Sequence, residues 1–128
     1  MSGIEWLLDT NVVIGLLKGY DAAIALAEKK GLILERAAVS QITRMELLGF
    51  PGLADDEEAA IRSFLNACRV VMLDDVIEEQ AIRLRRSGMF KLPDSIIAAT
   101  ALMLNAQLLT LDQGMSRALG RVESRTEG

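Results

Sequence analysis

Four short apolar runs, each followed by a polar residue and separated by helical sequence, constrain this chain more than any other feature. They are Ile4 to Leu8, Ala37 to Val39, Val70 to Leu73 and Leu108 to Leu111, with Asp9, Ser40, Asp74 and Asp112 directly after them. Between them lie stretches with helix punctuation. Val12 to Lys18 stops at Gly19, and Asp21 to Lys30 opens on an acid, ends on two lysines and meets Gly31. Ser40 opens a helix through Leu48, closed by Gly49, Pro51 and Gly52. Asp55 to Ala67 is amphipathic, Val76 to Arg86 precedes Gly88, Ser95 to Ala106 is the most apolar helix, and Gln113 to Leu119 is the last. Alternating apolar strands and helices imply an α/β fold with a mostly parallel sheet covered on both faces. In such sheets ligands bind outside the carboxyl ends of the strands, where those four polar residues fall.

The chain has 128 residues, enough for one domain that buries its core without disulfides or a structural metal. Apolar residues supply 51% and charged residues 25%, the profile of a globular protein. Cys68 is the single cysteine, so neither a disulfide framework nor a thiolate zinc site can form, and a cytoplasmic setting fits. No basic segment precedes the first apolar run, which Glu5 and Asp9 interrupt, so it does not read as a signal peptide. The uncharged segment Ser95 to Leu111 approaches membrane-span length, but Asn105, Ala106 and Gln107 divide it into a buried helix and a buried strand.

Histidine is absent, which removes Ser-His-Asp and Cys-His nucleophile pairs, imidazole acid–base chemistry and His-rich metal sites. Hydrolysis by this chain would have to run on carboxylates, hydroxyls, lysine or a metal held by oxygen. Four acids suit the last option. Asp9 ends the first strand, and it also reads as a turn and helix cap with Thr10 and Asn11. Glu46 has Thr-x-x-Glu spacing from Thr43, which allows a capping box, though Ser40 is the better cap and leaves Glu46 inside the helix. Asp94 follows Pro93 at a helix start, a common capping arrangement, and Asp112 could cap the last helix. Each alone is ordinary. Together the fold brings them toward one sheet edge, where two carboxylates about 5 Å apart repel by roughly 3 kcal/mol at an effective dielectric near 20. A hard cation such as Mg²⁺ or Mn²⁺ offsets that repulsion.

Leu7-Leu8-Asp9-Thr10-Asn11, the helix from Ser40 to Leu48, and above all Lys91-Leu92-Pro93-Asp94-Ser95-Ile96-Ile97-Ala98-Ala99-Thr100-Ala101 resemble the PIN domain, most closely the VapC-type toxins of toxin–antitoxin pairs. The resemblance spans Leu7 to about Leu119. It implies a PIN-like three-layer α/β/α sandwich with a mostly parallel sheet of four or five strands. Residues 1–122 would form the nuclease domain and 123–128 a polar tail, with a short closing strand at Gly120 to Val122. The family's three central acids fall on Asp9, Glu46 and Asp94, and its fourth on Asp112, with Asn11 and Thr110 as supporting residues. Where many members carry Asn, a second acid and Phe around the fourth acid, this chain has Leu111, Gly114 and Met115. The implied activity is Mg²⁺-dependent endonucleolytic cleavage of RNA, or the same with Mn²⁺. The implied partners are RNA, an antitoxin peptide across the active-site groove, and a second copy in a homodimer, with no membrane.

The net charge of −4 leaves RNA binding to a local patch, for which Arg44, Arg85, Arg86 and Lys91 are the candidates, solvated surface being the alternative. Two rivals to the nuclease are weighed. An aspartyl phosphatase lacks its Asp-x-Asp, since position 11 is Asn, and no Gly-rich phosphate loop appears. A catalytically silent PIN-like partner-binding module would not need the acids the chain retains.

Overall fold

In the computed structural model, which describes residues 3–127, each apolar run becomes a strand of one parallel sheet. The order along the chain is β1 Trp6–Leu8, α1 Thr10–Lys18, α2 Asp21–Lys30, a 3₁₀ turn Leu34–Arg36, β2 Ala37–Ser40, α3 Gln41–Leu48 and α4 Asp55–Ala67. It continues with β3 Arg69–Val71, α5 Asp75–Arg86, α6 Leu92–Leu104, β4 Gln107–Leu109 and α7 Gln113–Glu127. The sheet order is β3-β2-β1-β4, every pairing parallel. The expected α/β architecture is therefore present, with four strands.

The two central strands, β1 and β2, are fully buried because both faces of the sheet are covered there, whereas the edge strands β3 and β4 open on exposed Arg69 and Gln107. Leu7 and Ala38 face α5, α6 and α7, packing with Ile77, Ala81, Leu84, Ile97, Ala98 and Leu119. Their neighbours Trp6, Leu8, Ala37 and Val39 face the other way, against Val12 and Val13 of α1, Leu47 of α3, and Ile61 and Leu65 of α4. This period-two division builds two cores on either side of one sheet. The apolar segment around Ser95 is helix α6, with Ile97, Ala98, Ala99 and Ala101 buried; Asn105 ends it in a left-handed conformation, φ 51°, before β4. Among the described residues no single helix is long and apolar enough to cross a membrane.

Two boundaries differ instructively from expectation. Helix α6 begins at Leu92, ahead of Pro93, because proline in the first turn forfeits only an N–H that has no intrahelical acceptor. The closing strand expected at Gly120 to Val122 does not form. Those residues belong to α7, which continues through Glu127. Met115, Ala118, Leu119 and Val122 recur at helical spacing and pack on one core, a period that outweighs the break Gly120 suggested. Met1, Ser2 and Gly128, the ends of the expected domain and tail, lie outside the described residues.

The strand order places the site. The chain steps from β1 to β2 to β3 in one direction, then crosses back to lay β4 on the far side of β1. The switch point lies between β1 and β4, and a crevice opens there at the carboxyl ends. Asp74, which follows β3, sits at the opposite edge of the sheet. Its carboxylate accepts from Ile77 N–H at 2.8 Å and caps α5.

Candidate active site

Asp9 leaves β1 at this switch point and is nearly fully buried, 5% exposed. Two donors hold its carboxylate. Oδ1 accepts from the Thr10 N–H at 2.7 Å, which caps α1, and Oδ2 accepts from the Thr110 hydroxyl at 2.7 Å. Burial pushes the Asp9 carboxyl above its ordinary value; the Thr110 and Thr10 bonds pull it back down, and the Asp112 charge adds to the rise. Capping and site-building are thus one arrangement at Asp9, not alternatives.

Thr110 and Asn11 tie the β1 and β4 ends together. The Thr110 hydroxyl accepts from Asp112 N–H at 3.0 Å and from the Asn11 amide at 3.4 Å, while Asn11 Oδ1 accepts from Leu111 N–H at 3.1 Å. Four polar groups from two strand ends are satisfied by one another. Asp112 in turn caps α7, its Oδ1 accepting from Met115 N–H at 3.1 Å.

Glu46 comes from α3, across the crevice from α1. The capping box with Thr43 is not used: the Ser40 hydroxyl caps α3 by accepting from Ile42 N–H at 3.2 Å. Glu46 Oε1 instead accepts from the Thr10 hydroxyl at 2.8 Å, and Thr10 Oγ1 lies 2.9 Å from Thr43 Oγ1. Thr10 and Thr43 were not expected in the site. The available signal was weak, since Thr10 read as a turn residue and Thr43 as half of a capping box.

Asp94 differs from the other three. It sits in the first turn of α6, yet the N-cap is Lys91 and no side chain caps this helix. Among the described residues no donor reaches its carboxylate. Burial raises the Asp94 carboxyl above its ordinary value, followed by the charges of Asp9, Asp112 and Glu46, and Lys91 lowers it. The charges of all three other acids thus act on Asp94 in the same sense. Capping explains Asp112 and part of Asp9, but neither Asp94 nor Glu46.

The donor set is all oxygen, which suits a hard cation. Among the described residues, however, no three Asp, Glu or Cys side chains close in tightly enough to ligate one ion together. Mg²⁺ characteristically keeps several waters and takes one or two direct carboxylates, so a crevice with one undonated carboxylate and three charges around it fits that ion. The four basic candidates form no ion pair among the described residues; Arg44 is half-buried, and Arg85, Arg86 and Lys91 are exposed. Arg85 donates to the Phe90 carbonyl at 3.4 Å, which leaves most of its guanidinium open. Glu46 also lines a mostly apolar groove of about 230 Å³ between α1, α3 and α4, together with Ile14, Leu17, Phe50 and Leu53.

A PIN domain family model matches residues 6–119. Ribonuclease VapC19 from Mycobacterium tuberculosis is 33% identical over 110 residues, covering 81% of this chain and 86% of that protein. A toxin–antitoxin complex from Klebsiella pneumoniae is similar with TM-score 0.72 and 31% identity, over 84% of this chain and 87% of that one. FitAcB from Neisseria gonorrhoeae gives TM-score 0.72 and 28% identity, over 90% and 93%.

Proposed function

The chain belongs to the PIN-domain family, in its VapC-type branch, and from that premise we propose that it is an endoribonuclease toxin using Mg²⁺ or Mn²⁺ at the acids of the β1–β4 crevice. The observation that carries the reading is Asp94: a part-buried carboxylate without a hydrogen-bond donor, facing the charges of Asp9, Asp112 and Glu46. Leaving such a group uncompensated costs stability, and a bound cation removes the cost. Asp9, Glu46, Asp94 and Asp112 would hold the ion, which would supply activation of water and compensation of charge on the scissile phosphate.

The chain's own residues supply placement. Asp9 is held by two donors and buried, so its carboxylate is oriented before any ion or substrate arrives. Thr110 and Asn11 fix the loop that carries Asp112. Asp94 and Glu46 close the crevice from α6 and α3. Arg44, Arg85, Arg86 and Lys91, none of them spent on an ion pair among the described residues, guide the RNA backbone. The groove at Glu46 suits an apolar antitoxin segment, which would silence the site by occupying its mouth. The Klebsiella relative was solved as a toxin–antitoxin complex, which supports such a partner. A homodimer belongs to the same proposal; exposed Met72, Leu73 and Val76 beyond β3 offer apolar surface for it.

Purified protein, freed of any antitoxin, is expected to cut RNA with Mg²⁺ present, to stop in excess EDTA, and to resume when Mg²⁺ is restored. Cleavage that persists in EDTA would refute the metal-dependent reading. A second expectation concerns the patch. Neutralising Arg85, Arg86 and Lys91 together should weaken RNA binding and flatten its salt dependence by about 2 in the log–log slope, at roughly 0.7 per lost single-strand phosphate contact. An unchanged slope returns the three to solvated surface.

A further inference from the structure

The buried hydroxyl of Thr43 is not used within its own helix. Ser95 and Thr100 of α6, equally buried, donate back to the carbonyls of Lys91 at 2.9 Å and Ile96 at 2.7 Å, the ordinary solution for a hydroxyl inside a helix. Thr43, 0% exposed, instead meets Thr10 Oγ1 at 2.9 Å, from a residue 33 positions away. That contact has a direction. Thr10 carries one hydroxyl proton and lies 2.8 Å from Glu46 Oε1, and an ionised carboxylate only accepts. The Thr10 proton therefore goes to Glu46, and the proton of the 2.9 Å contact comes from Thr43.

We propose that Thr43 and Thr10 form a directed hydroxyl relay that positions Glu46 by fixing its Oε1 at the start of α1. An exposed glutamate on a helix otherwise samples many rotamers, each with its carboxylate in a different place. Anchoring one oxygen through a buried threonine removes that freedom and couples α3 to the start of α1, the helix that Asp9 caps. Thr10 and Thr43 are thus positioning residues that act through Glu46. The inference rests on the metal-site reading above and assigns the support of Glu46 within it.

Mn²⁺ alone, titrated calorimetrically into the full chain, is the probe, with single-turnover RNA cleavage measured alongside. Thr10→Val keeps the shape and loses the donor. It should weaken Mn²⁺ binding and slow cleavage by about 10-fold or more, the usual cost of losing an outer-shell partner. Thr10→Ser should restore both. In the Glu46→Gln background, Thr10→Val should add no further loss, because its effect passes through the missing carboxylate. Unchanged Mn²⁺ affinity in Thr10→Val, or an equal loss in the Glu46→Gln background, overturns the relay while the nuclease reading stands. Should Thr10→Val melt too low to titrate, Thr43→Val decides: a loss in the same sense supports the relay and no loss overturns it. A wild type that neither binds Mn²⁺ nor cleaves RNA overturns both.

Discussion

Asp94→Asn is expected to reduce RNA cleavage by about a hundredfold to a thousandfold while leaving the metal-free protein as stable as the wild type, or more stable. The two halves have one cause. Asp94 has no hydrogen-bond donor among the described residues, so the amide forfeits no bond, and it removes a charge that Asp9, Asp112 and Glu46 repel. The same charge would be the crevice's open ligand, and losing a preorganised charge-stabilising group costs on the order of 10²–10³ in rate. The pH dependence follows from the sign of the shift. A carboxyl whose folded pKa is raised binds its proton more tightly in the folded state. Its stabilising contribution is full at pH below the unfolded value and is lost as pH rises through the folded value. Asp94→Asn should therefore gain on the metal-free wild type at neutral pH, and the gain should vanish on acidification. Urea melts at several pH values in EDTA read this directly. A variant less stable than the wild type at neutral pH would mean that Asp94 serves the fold.

Thr110→Val should do the opposite, harming the fold first. The Thr110 hydroxyl is the donor to Asp9 Oδ2, on a residue 5% exposed, and it also accepts from Asp112 N–H and the Asn11 amide. Valine has the same shape and none of these bonds. A hydrogen bond to a buried charged group contributes about 1.5–3 kcal/mol, which lowers the melting temperature by roughly 5–10 °C in a chain of this size. The loss applies to the ionised form of Asp9. It is full at neutral and alkaline pH and shrinks as pH falls through the raised folded value of Asp9. A variant that melts with the wild type at neutral pH would show that the β1 and β4 ends are held by something else.

The strand ends were legible in the sequence because each strand falls on an apolar run that a polar residue follows within a few positions. Asp9 and Asp112 could be placed at the carboxyl edge from that pattern alone. The order of strands could not. Asp74 follows a strand just as Asp9 does, and only the pairing β3-β2-β1-β4 puts it at the far edge as an ordinary cap. The relay between Thr10 and Thr43 was equally hidden, since its partners are 33 residues apart and each has a local use a sequence suggests more strongly. Asp112 caps α7 as the sequence suggested, whereas at Asp94 the sequence suggested a cap and the structure has none. The start of helix α7 was read from Gln113, and its extension past Leu119 was readable in principle: the spacing of Met115, Ala118, Leu119 and Val122 was present, and Gly120 masked it.

The central claim is that Asp9, Glu46, Asp94 and Asp112 act as one divalent-cation site, and a thermal melt with Mg²⁺ against an ionic-strength-matched monovalent salt tests it most directly. For a dissociation constant near ~0.5 mM and Mg²⁺ at ~5 mM, linkage adds about 1.4 kcal/mol. That raises the melting temperature by roughly 5 °C for a chain of this length. The wild type should show this shift and Asp94→Asn should not. No Mg²⁺-specific shift in the wild type, or the same shift in both proteins, would contradict the site.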